Sequence, residues 1–376
     1  MTGTPIVQFG TSRFLQAHVD LFVSEALAAG AAAGPITVVQ TSGAGDRGGR
    51  LKAFADPAGF PVVIRGLDGG AVVDRTVQVT STRRGLSTAA DWAEVTRIVV
   101  EEAAFLVSNT ADNGYVVDAA ETVALDAAAT EAPASFPGKL LALLAARWRA
   151  GRPGLVVLPC ELVNRNGATL RGIVLDLARR SAAEPALVDW IAGANVWADS
   201  LVDRIVSAPL EPAGAVAEPY ALWAIERTDG LTLPCTHPAI ALVDDLEPPE
   251  RLKLHILNLG HTVLAERWRA DRLPAETTVR GMLADAAVRT HLTSLYAEEV
   301  VPAFASHGLG AAAAAYVAVT LDRFQNPFLD HRVADIAQNH AAKIERRIGA
   351  FLAWSRDAGA PPQPRLAAIA AAVPAQ

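Results

Sequence analysis

The chain opens on short apolar runs that alternate with amphipathic stretches. Pro5 to Gly10 (PIVQFG) predicts a buried strand, and Phe14 to Ala28 predicts the helix after it. Gly34-Pro35 interrupts the pattern, and Ile36 to Thr41 (ITVVQT) predicts a second strand. Val62 to Arg65, Val72 to Thr80, Phe105 to Asn109 and Gly154 to Pro159 are further strand-like runs, interleaved with helical patterns at Ala89 to Ala104 and Lys139 to Arg149. Continuously apolar strands between helices are the pattern of parallel βαβ units, whose sheet is covered on both faces. After about residue 245 the strand pattern stops. Pro248 and Pro249 open a long helical stretch through Arg269, and helices are predicted over 275–287, 288–306, 310–325, 329–355 and 364–373. The expectation is an α/β domain over 1–245 and a mostly α-helical domain over 246–376.

Composition narrows the class. Of 376 residues, 51% are hydrophobic and 19% charged, which excludes intrinsic disorder. Basic residues number 33 against 40 acidic, a net charge of -7, so no global field attracts nucleic acid. Two cysteines, Cys160 and Cys235, cannot build a disulfide framework, and a reducing compartment is the default. The N-terminus lacks the charged and apolar regions of a signal peptide, and the Ala-rich stretches are too short or broken to span a bilayer. The expectation is a soluble, cytoplasmic protein acting on a small molecule, with no nucleic-acid or membrane partner. Only four basic residues are lysines: Lys52, Lys139, Lys253 and Lys343. Codon bias explains that scarcity, yet it narrows the search for an amine with a chemical task.

Phe9-Gly10-Thr11-Ser12-Arg13-Phe14 joins the first strand to the first helix, where a dinucleotide pyrophosphate rests in α/β folds. The full G-x-G-x-x-G is absent, since only Gly10 is glycine, so an ordinary βα turn fits the spacing equally well. The acidic residue expected after the second strand is replaced by Gln40-Thr41-Ser42, with Asp46 a few residues beyond. Leu158 to Gly167 (LPCELVNRNG) follows a buried strand, where α/β enzymes place functional groups, although Asn166-Gly167 also reads as a turn.

Arg251 to Trp268 (RLKLHILNLGHTVLAERW) is the most informative segment. On an α-helix Lys253, Asn258 and His261 fall at about 0°, 140° and 80°, within one arc. Leu257 and Leu264 share the arc and His255 points away. An amine, an amide and an imidazole in one half-buried patch suit proton transfer beside a polarised carbonyl; scattered polar residues on a helix are the alternative. Gly260 costs the helix about 1 kcal/mol relative to Ala, which suggests close approach by another backbone or a ligand. Arg323, in Asp322 to Pro327 (DRFQNP), has a fork that could clamp a carboxylate. The sequence holds no H-E-x-x-H, no C-x-x-C, no P-loop and no G-x-S-x-G elbow.

These motifs coincide in order with a known family. The chain resembles the polyol-specific long-chain dehydrogenases, the mannitol dehydrogenase superfamily that includes the hexuronate reductases. The resemblance runs from about Gln8 to Ile348. It rests on QFGTSRFLQAH at 8–18, LVSNTADNGY at 106–115, LPCELVNRNG at 158–167, VDRIV at 202–206, KLHILNLGH at 253–261 and RFQNP at 323–327. It implies an N-terminal Rossmann-like domain binding NAD, a mostly helical domain that takes the substrate, and no metal. Carried over, Lys253 is the general acid/base, Asn166 and Asn258 hydrogen-bond the reacting oxygen, and His261 orients that oxygen or the lysine. The resemblance extends cofactor contacts over Phe9 to Phe14, Asn109 and Thr110. Arg323 and Lys343 are the candidates for a substrate carboxylate. LPCEL, with Trp223 to Glu226 and Val202 to Val206, is closest to the hexuronate branch, which acts on tagaturonate and altronate. A mannitol- or fructuronate-type polyol or mannonate dehydrogenase is the alternative, as is a non-catalytic nucleotide-sensing protein with the same fold.

Overall fold

The computed structural model describes residues 3–42, 49–110, 114–126 and 131–372. The chain divides into two compact units. One comprises 1–63, 75–217 and 221–246, and the other 64–74, 218–220 and 247–376.

The first unit is built on a six-stranded sheet. Its members come from thirteen strands in chain order: β1 (Ile6–Phe9), β2 (Ile36–Gln40), β3 (Phe60–Asp68), β4 (Ala71–Val79), β5 (Thr82–Ser87), β6 (Phe105–Ser108), β7 (Val156–Pro159), β8 (Val196–Trp197), β9 (Ser200–Asp203), β10 (Val206–Pro209), β11 (Ala215–Ala217), β12 (Leu222–Glu226) and β13 (Ile240–Val243). The large sheet has the order β5-β2-β1-β6-β7-β8, and every neighbouring pair is parallel. The residues of β1, β2, β6 and β7 are all buried, as strands covered on both faces must be. The helices Trp92–Glu101, Phe136–Arg149, Asn166–Arg180 and Pro185–Gly193 help supply that cover. Their Ile98, Leu140, Leu144, Leu170 and Ile191 pack with Val7, Leu106 and Val157 in one core. Ser135 fixes the start of the second of these helices by accepting from the Gly138 N–H at 3.0 Å.

The strand order reverses between β1 and β6, because the chain fills one side of β1 with β2 and β5 before crossing to β6, β7 and β8. The crevice outside the carboxyl ends of β1 and β6 is therefore the topological switch point of this unit. The first helix is not continuous. It forms as Arg13–Gln16 and Val19–Ala28, broken at His18 (φ -126°, ψ -91°). His18 is fully buried, stacks on Phe14 and Phe22, and donates from Nε2 to the Leu222 carbonyl at 3.2 Å. Smaller sheets have the orders β10-β11-β3-β4 and β13-β12-β9, which the strand pattern predicted only at the β3 and β4 runs.

The second unit is helical, but the long helices are interrupted. Glu247–Leu252 continues into a π-helical turn, Lys253–Asn258, and then the α-helix Leu259–Ala270. A second π turn, Tyr296–Val300, lies between Ala286–Leu295 and Val301–Ser306, and a third, Glu345–Gly349, between His340–Ile344 and Ala350–Asp357. The first π turn touches the other two. The predicted helix over 329–355 is broken further at Asn339, whose φ is +53°.

The segments 64–74 and 218–220 join this unit through side chains of the DRFQNP motif. Arg323 grips Glu218 with both fork edges, at 3.0 Å from Nε and 2.9 Å from NH2, and lies over the Tyr220 ring. Asn326 donates to the Arg65 carbonyl at 3.1 Å, and Asp322 accepts from the Gly70 N–H at 3.0 Å. Among the described residues no helix is long and apolar enough to cross a membrane.

Candidate active site

The switch point gathers most of the residues expected to face a cofactor. Gly10 has φ +121°, and a Cβ there would lie 2.4 Å from the Asn109 carbonyl oxygen. Only glycine lets the β1 turn cross the end of β6 so closely. The Asn109 N–H donates to the Phe9 carbonyl at 3.0 Å, and its side-chain Nδ2 donates to the Cys160 carbonyl at 2.7 Å, tying β1, β6 and β7 together at their carboxyl ends. The Ser12 hydroxyl reaches Asn109 Oδ1 at 3.4 Å and accepts from the Leu15 N–H at 3.3 Å. Thr11, Ser12, Asn109 and Thr110 are half-buried and Arg13 is exposed, so this rim is open to a ligand. Two of the expected contacts fall on residues whose side chains are engaged in packing. Phe9 is fully buried against Phe136, and Phe14 stacks on His18, so both side chains are packing elements.

A cavity of about 490 Å³ opens beside the carboxyl ends of β2 and β5, lined in part by Thr41, Thr88, Trp92 and Lys139. Its size and mixed lining fit the adenosine half of a dinucleotide, while the narrow β1 turn fits the pyrophosphate. Lys139 is buried and donates to the Ala134 carbonyl at 2.7 Å. Asp46, considered above for the ribose, lies outside the described residues.

A buried carboxylate that sequence reasoning missed stands at the end of β7. Glu161 is 4% exposed. Its Oε1 accepts from the Thr110 N–H and hydroxyl, each at 3.0 Å, and its Oε2 from the Ser108 hydroxyl at 3.0 Å and Tyr115 at 3.3 Å. Its signal was a charged residue directly after the buried run 156–160, which ends on the buried Cys160.

Asn166 does not have the expected role. It is 0% exposed at the start of its helix. Its Nδ2 faces the carbonyls of Pro159, Glu161 and Ser200 at 3.0–3.1 Å, and its Oδ1 accepts from the Gly167 and Ser200 N–H groups at 2.9 Å. The amide is saturated by backbone, so it holds the β7 turn and has no donor left for a reacting oxygen.

In the helical unit the π turn changes the angular arithmetic. The Leu259 N–H donates five residues back to the Leu254 carbonyl. The wider π turn brings Asn258 closer to Lys253 around the axis than the 140° of an α-helix. Both are half-buried, and His261 follows on the next α turn. Among the described residues neither the Asn258 side-chain amide nor the His261 imidazole has a hydrogen bond to protein, although His261 contacts the Phe324 ring at 4.4 Å and the His331 ring at 5.0 Å. Burial, then His331, Arg323, Arg347 and Lys343, hold the His261 pKa well below its ordinary value. It is therefore a neutral imidazole, able to donate from one nitrogen and accept at the other.

Gly260 makes room for a side chain, not for a backbone or a ligand. A Cβ at Gly260 would lie 1.8 Å from the Tyr296 hydroxyl, which donates to the Ile256 carbonyl at 2.8 Å. Tyr296 thus supports the π turn from behind. Arg347 supports it from another side, its NH1 donating to the Asn258 carbonyl at 3.3 Å and the Thr262 hydroxyl at 3.1 Å.

Of the two carboxylate candidates, Arg323 is corrected. Its side chain is 3% exposed and its charge is met by Glu218, so it organises the fold. Lys343 is half-buried and donates to the Ile336 carbonyl at 2.7 Å. Among the described residues neither Lys343 nor Arg347 has an ion pair. Burial and mutual repulsion lower the pKa of Lys343.

A doubly wound parallel sheet with a glycine turn at its switch point, and a helical unit presenting amine, amide and neutral imidazole on two successive turns, define the class: a Rossmann-type oxidoreductase of alcohols and carbonyls. Comparison with known proteins is specific. Residues 66–233 match the mannitol dehydrogenase Rossmann domain and residues 245–374 the mannitol dehydrogenase C-terminal domain. Altronate oxidoreductase of Bacillus subtilis is 30% identical over 366 residues, covering 91% of this chain and 73% of that protein. The altronate oxidoreductase of Klebsiella pneumoniae strain 342 is 30% identical over 355 residues, covering 84% and 68%. Among solved structures, a substrate-free D-sorbitol dehydrogenase aligns with a TM-score of 0.77 at 20% identity, over 96% of this chain and 77% of that one. Pseudomonas fluorescens mannitol 2-dehydrogenase, in ternary complex with NAD and D-mannitol, aligns at 0.70 and 20% identity, over 99% and 78%. The chain belongs to the mannitol dehydrogenase family.

Proposed function

We propose that the protein interconverts a keto-hexuronate of the tagaturonate type and its altronate-type alcohol, using NAD. The observation that carries the chemistry is the Lys253–Asn258 π turn followed by His261, with the Asn258 amide and the His261 imidazole unpaired among the described residues. The relatives named altronate oxidoreductase support the substrate class, and the switch point with its adjoining cavity fits a dinucleotide. When bound, the nicotinamide cofactor donates or accepts the hydride. Lys253 holds the proton that the substrate oxygen gains on reduction and takes it back on oxidation. Asn258 donates from its amide to that oxygen where negative charge develops, as an oxyanion-type donor. His261, neutral, orients the oxygen or a neighbouring hydroxyl.

An acid is favoured over a neutral polyol by the unpaired cations. Lys343 and Arg347 are near enough to His261 to depress its pKa and, among the described residues, meet no carboxylate. Both are half-buried, and a half-buried cation that meets only neutral acceptors gains from an anionic substrate. Lys343 is the proposed carboxylate contact, joined by Arg347.

The test is a kinetic panel of tagaturonate, fructuronate, fructose and their reduced forms with NADH and NADPH. Tagaturonate with NADH is expected to give the highest kcat/KM. Preference for fructose over both uronates would sink the acid-specific reading. Binding of NADH without turnover of any of them would leave a nucleotide-sensing protein.

A further inference from the structure

Glu161 has no part in the chemistry above, yet it is a carboxylate buried at the carboxyl ends of β6 and β7 with four donors aimed at it. Among the described residues no arginine, lysine or histidine pairs with it. That is an unusual combination. Hydrogen bonds from Ser108, Thr110 and Tyr115 favour its charged form, while burial with no counter-charge disfavours it. Other titratable groups around it do not supply the missing charge. The Cys160 thiol beside it and the Tyr115 hydroxyl are both pushed up by burial and stay uncharged near neutrality. Asp199, which acts on Tyr115, pairs with Arg165 at 3.3 Å.

Place the dinucleotide as the sheet dictates. The adenosine half belongs over β2 and β5, where the cavity lies, so the other half belongs over β6 and β7. That half carries the nicotinamide ring, which is positively charged when oxidised and neutral when reduced. We propose that Glu161 supplies the negative charge that makes this site prefer the oxidised cofactor. The inference rests on the reading that a nicotinamide dinucleotide binds at the switch point.

Two consequences follow from the charge. Replacing Glu161 by the near-isosteric Gln keeps an acceptor for the Thr110 groups but removes the charge. Protonation of Glu161 has the same effect. Burial raises the Glu161 pKa above its ordinary value, so the proton competes with the oxidised ring over a pH range starting above that value. Binding of the oxidised form therefore tightens as pH rises through that ionisation, and binding of the reduced form does not.

The experiment is equilibrium binding of NAD and of NADH, by calorimetry or protein fluorescence, to wild-type protein and to Glu161→Gln. Glu161→Gln is expected to weaken NAD about tenfold and to leave NADH within about twofold. An unchanged ratio of the two Kd values, or equal weakening of both, overturns the proposal and leaves Glu161 as a loop-holding residue. Should Glu161→Gln fail to fold, the wild-type series from about pH 5 to about pH 8 decides alone. Tightening of NAD only supports the proposal, and parallel or flat curves for the two forms overturn it. Wild-type protein that binds neither form overturns the cofactor reading itself, which is a different result from binding both without discrimination.

Discussion

Gly260→Ala is the perturbation that best tests how the π turn is held. Alanine gains about 1 kcal/mol of intrinsic helix propensity over glycine, so an exposed Gly260 would be stabilised by the change. Here the added methyl would sit 1.8 Å from the Tyr296 hydroxyl oxygen and 3.0 Å from both Tyr296 Cζ and Phe324 Cε2. Tyr296 is 0% exposed and cannot swing into solvent. Its hydroxyl must leave the Ile256 carbonyl, which costs about 1–3 kcal/mol for the buried groups left unpaired. Displacing packed rings costs about 1–3 kcal/mol more. Against the propensity gain, the net expectation is destabilisation of about 3 kcal/mol.

Urea denaturation of Gly260→Ala, Tyr296→Phe and the double variant measures this directly. Tyr296→Phe alone loses the hydrogen bond but also removes the atom at 1.8 Å. Gly260→Ala should therefore cost at least about 1 kcal/mol less in the Phe background, because residues in contact do not act additively. A Gly260→Ala variant as stable as wild type, or two substitutions that simply add, would refute the argument that Tyr296 holds the turn. Because Gly260 lies between Asn258 and His261, kcat should fall even where the variant remains folded.

Lys253→Met is expected to abolish turnover in both directions while NADH binding persists, and EDTA is expected to leave wild-type activity intact; substantial activity in the variant removes the lysine mechanism. Asn258→Ala should lower kcat by about 10²–10³-fold with little change in NADH affinity, read by steady-state kinetics and fluorescence titration. Asn166→Ala should behave oppositely, losing about 3 kcal/mol or more of stability as five backbone groups lose their partner, with activity tracking the folded fraction. A stable Asn166→Ala with 100-fold lower kcat would restore its role at the reacting oxygen. Burial lowers His255 from 6.5 to about 4 and His18 from 6.5 to about 3, so both are neutral when folded and charge on unfolding. A depressed folded pKa gives stability that is present above 6.5 and lost as pH falls. Together they should cost about 5 kcal/mol between pH 6.5 and about pH 4.5, a loss that thermal melts across that range would detect.

The layered architecture was legible because its signals are long and redundant. Mostly apolar runs at 6–9, 36–40, 105–108 and 156–159, set between helical patterns, read as strands covered on both faces, and all four are buried throughout. What escaped was local and depended on partners far along the chain. The break at His18 comes from ring stacking and from the Leu222 carbonyl, more than two hundred residues away. The π turns escaped because a helical wheel assumes one period, and nothing in KLHILN marks the extra residue. The π turn at 253–258 is supported by Tyr296 and Arg347, which sequence places on other helices.

The same reasoning explains why two asparagines that look alike in a motif part company in the structure. Both stand near a glycine and both were matched to the reacting oxygen. Asn166 starts a helix immediately after β7, where five backbone groups converge and consume its amide. Asn258 ends a π turn, where Thr262 and Arg347 donate to its carbonyl, and among the described residues its side chain has no partner. The arginines divide in the same way. Arg323 carries a fork suited to a carboxylate, and Glu218 already occupies it; Arg347 carries the same fork and, among the described residues, meets no carboxylate. Residue type gives capacity, but a functional group must also be one that the fold has left unsatisfied. By that criterion Asn258 and His261, with Lys343 and Arg347 as a positive flank, are the proposed site beside Lys253, and Asn166 and Arg323 are the frame that shapes each unit.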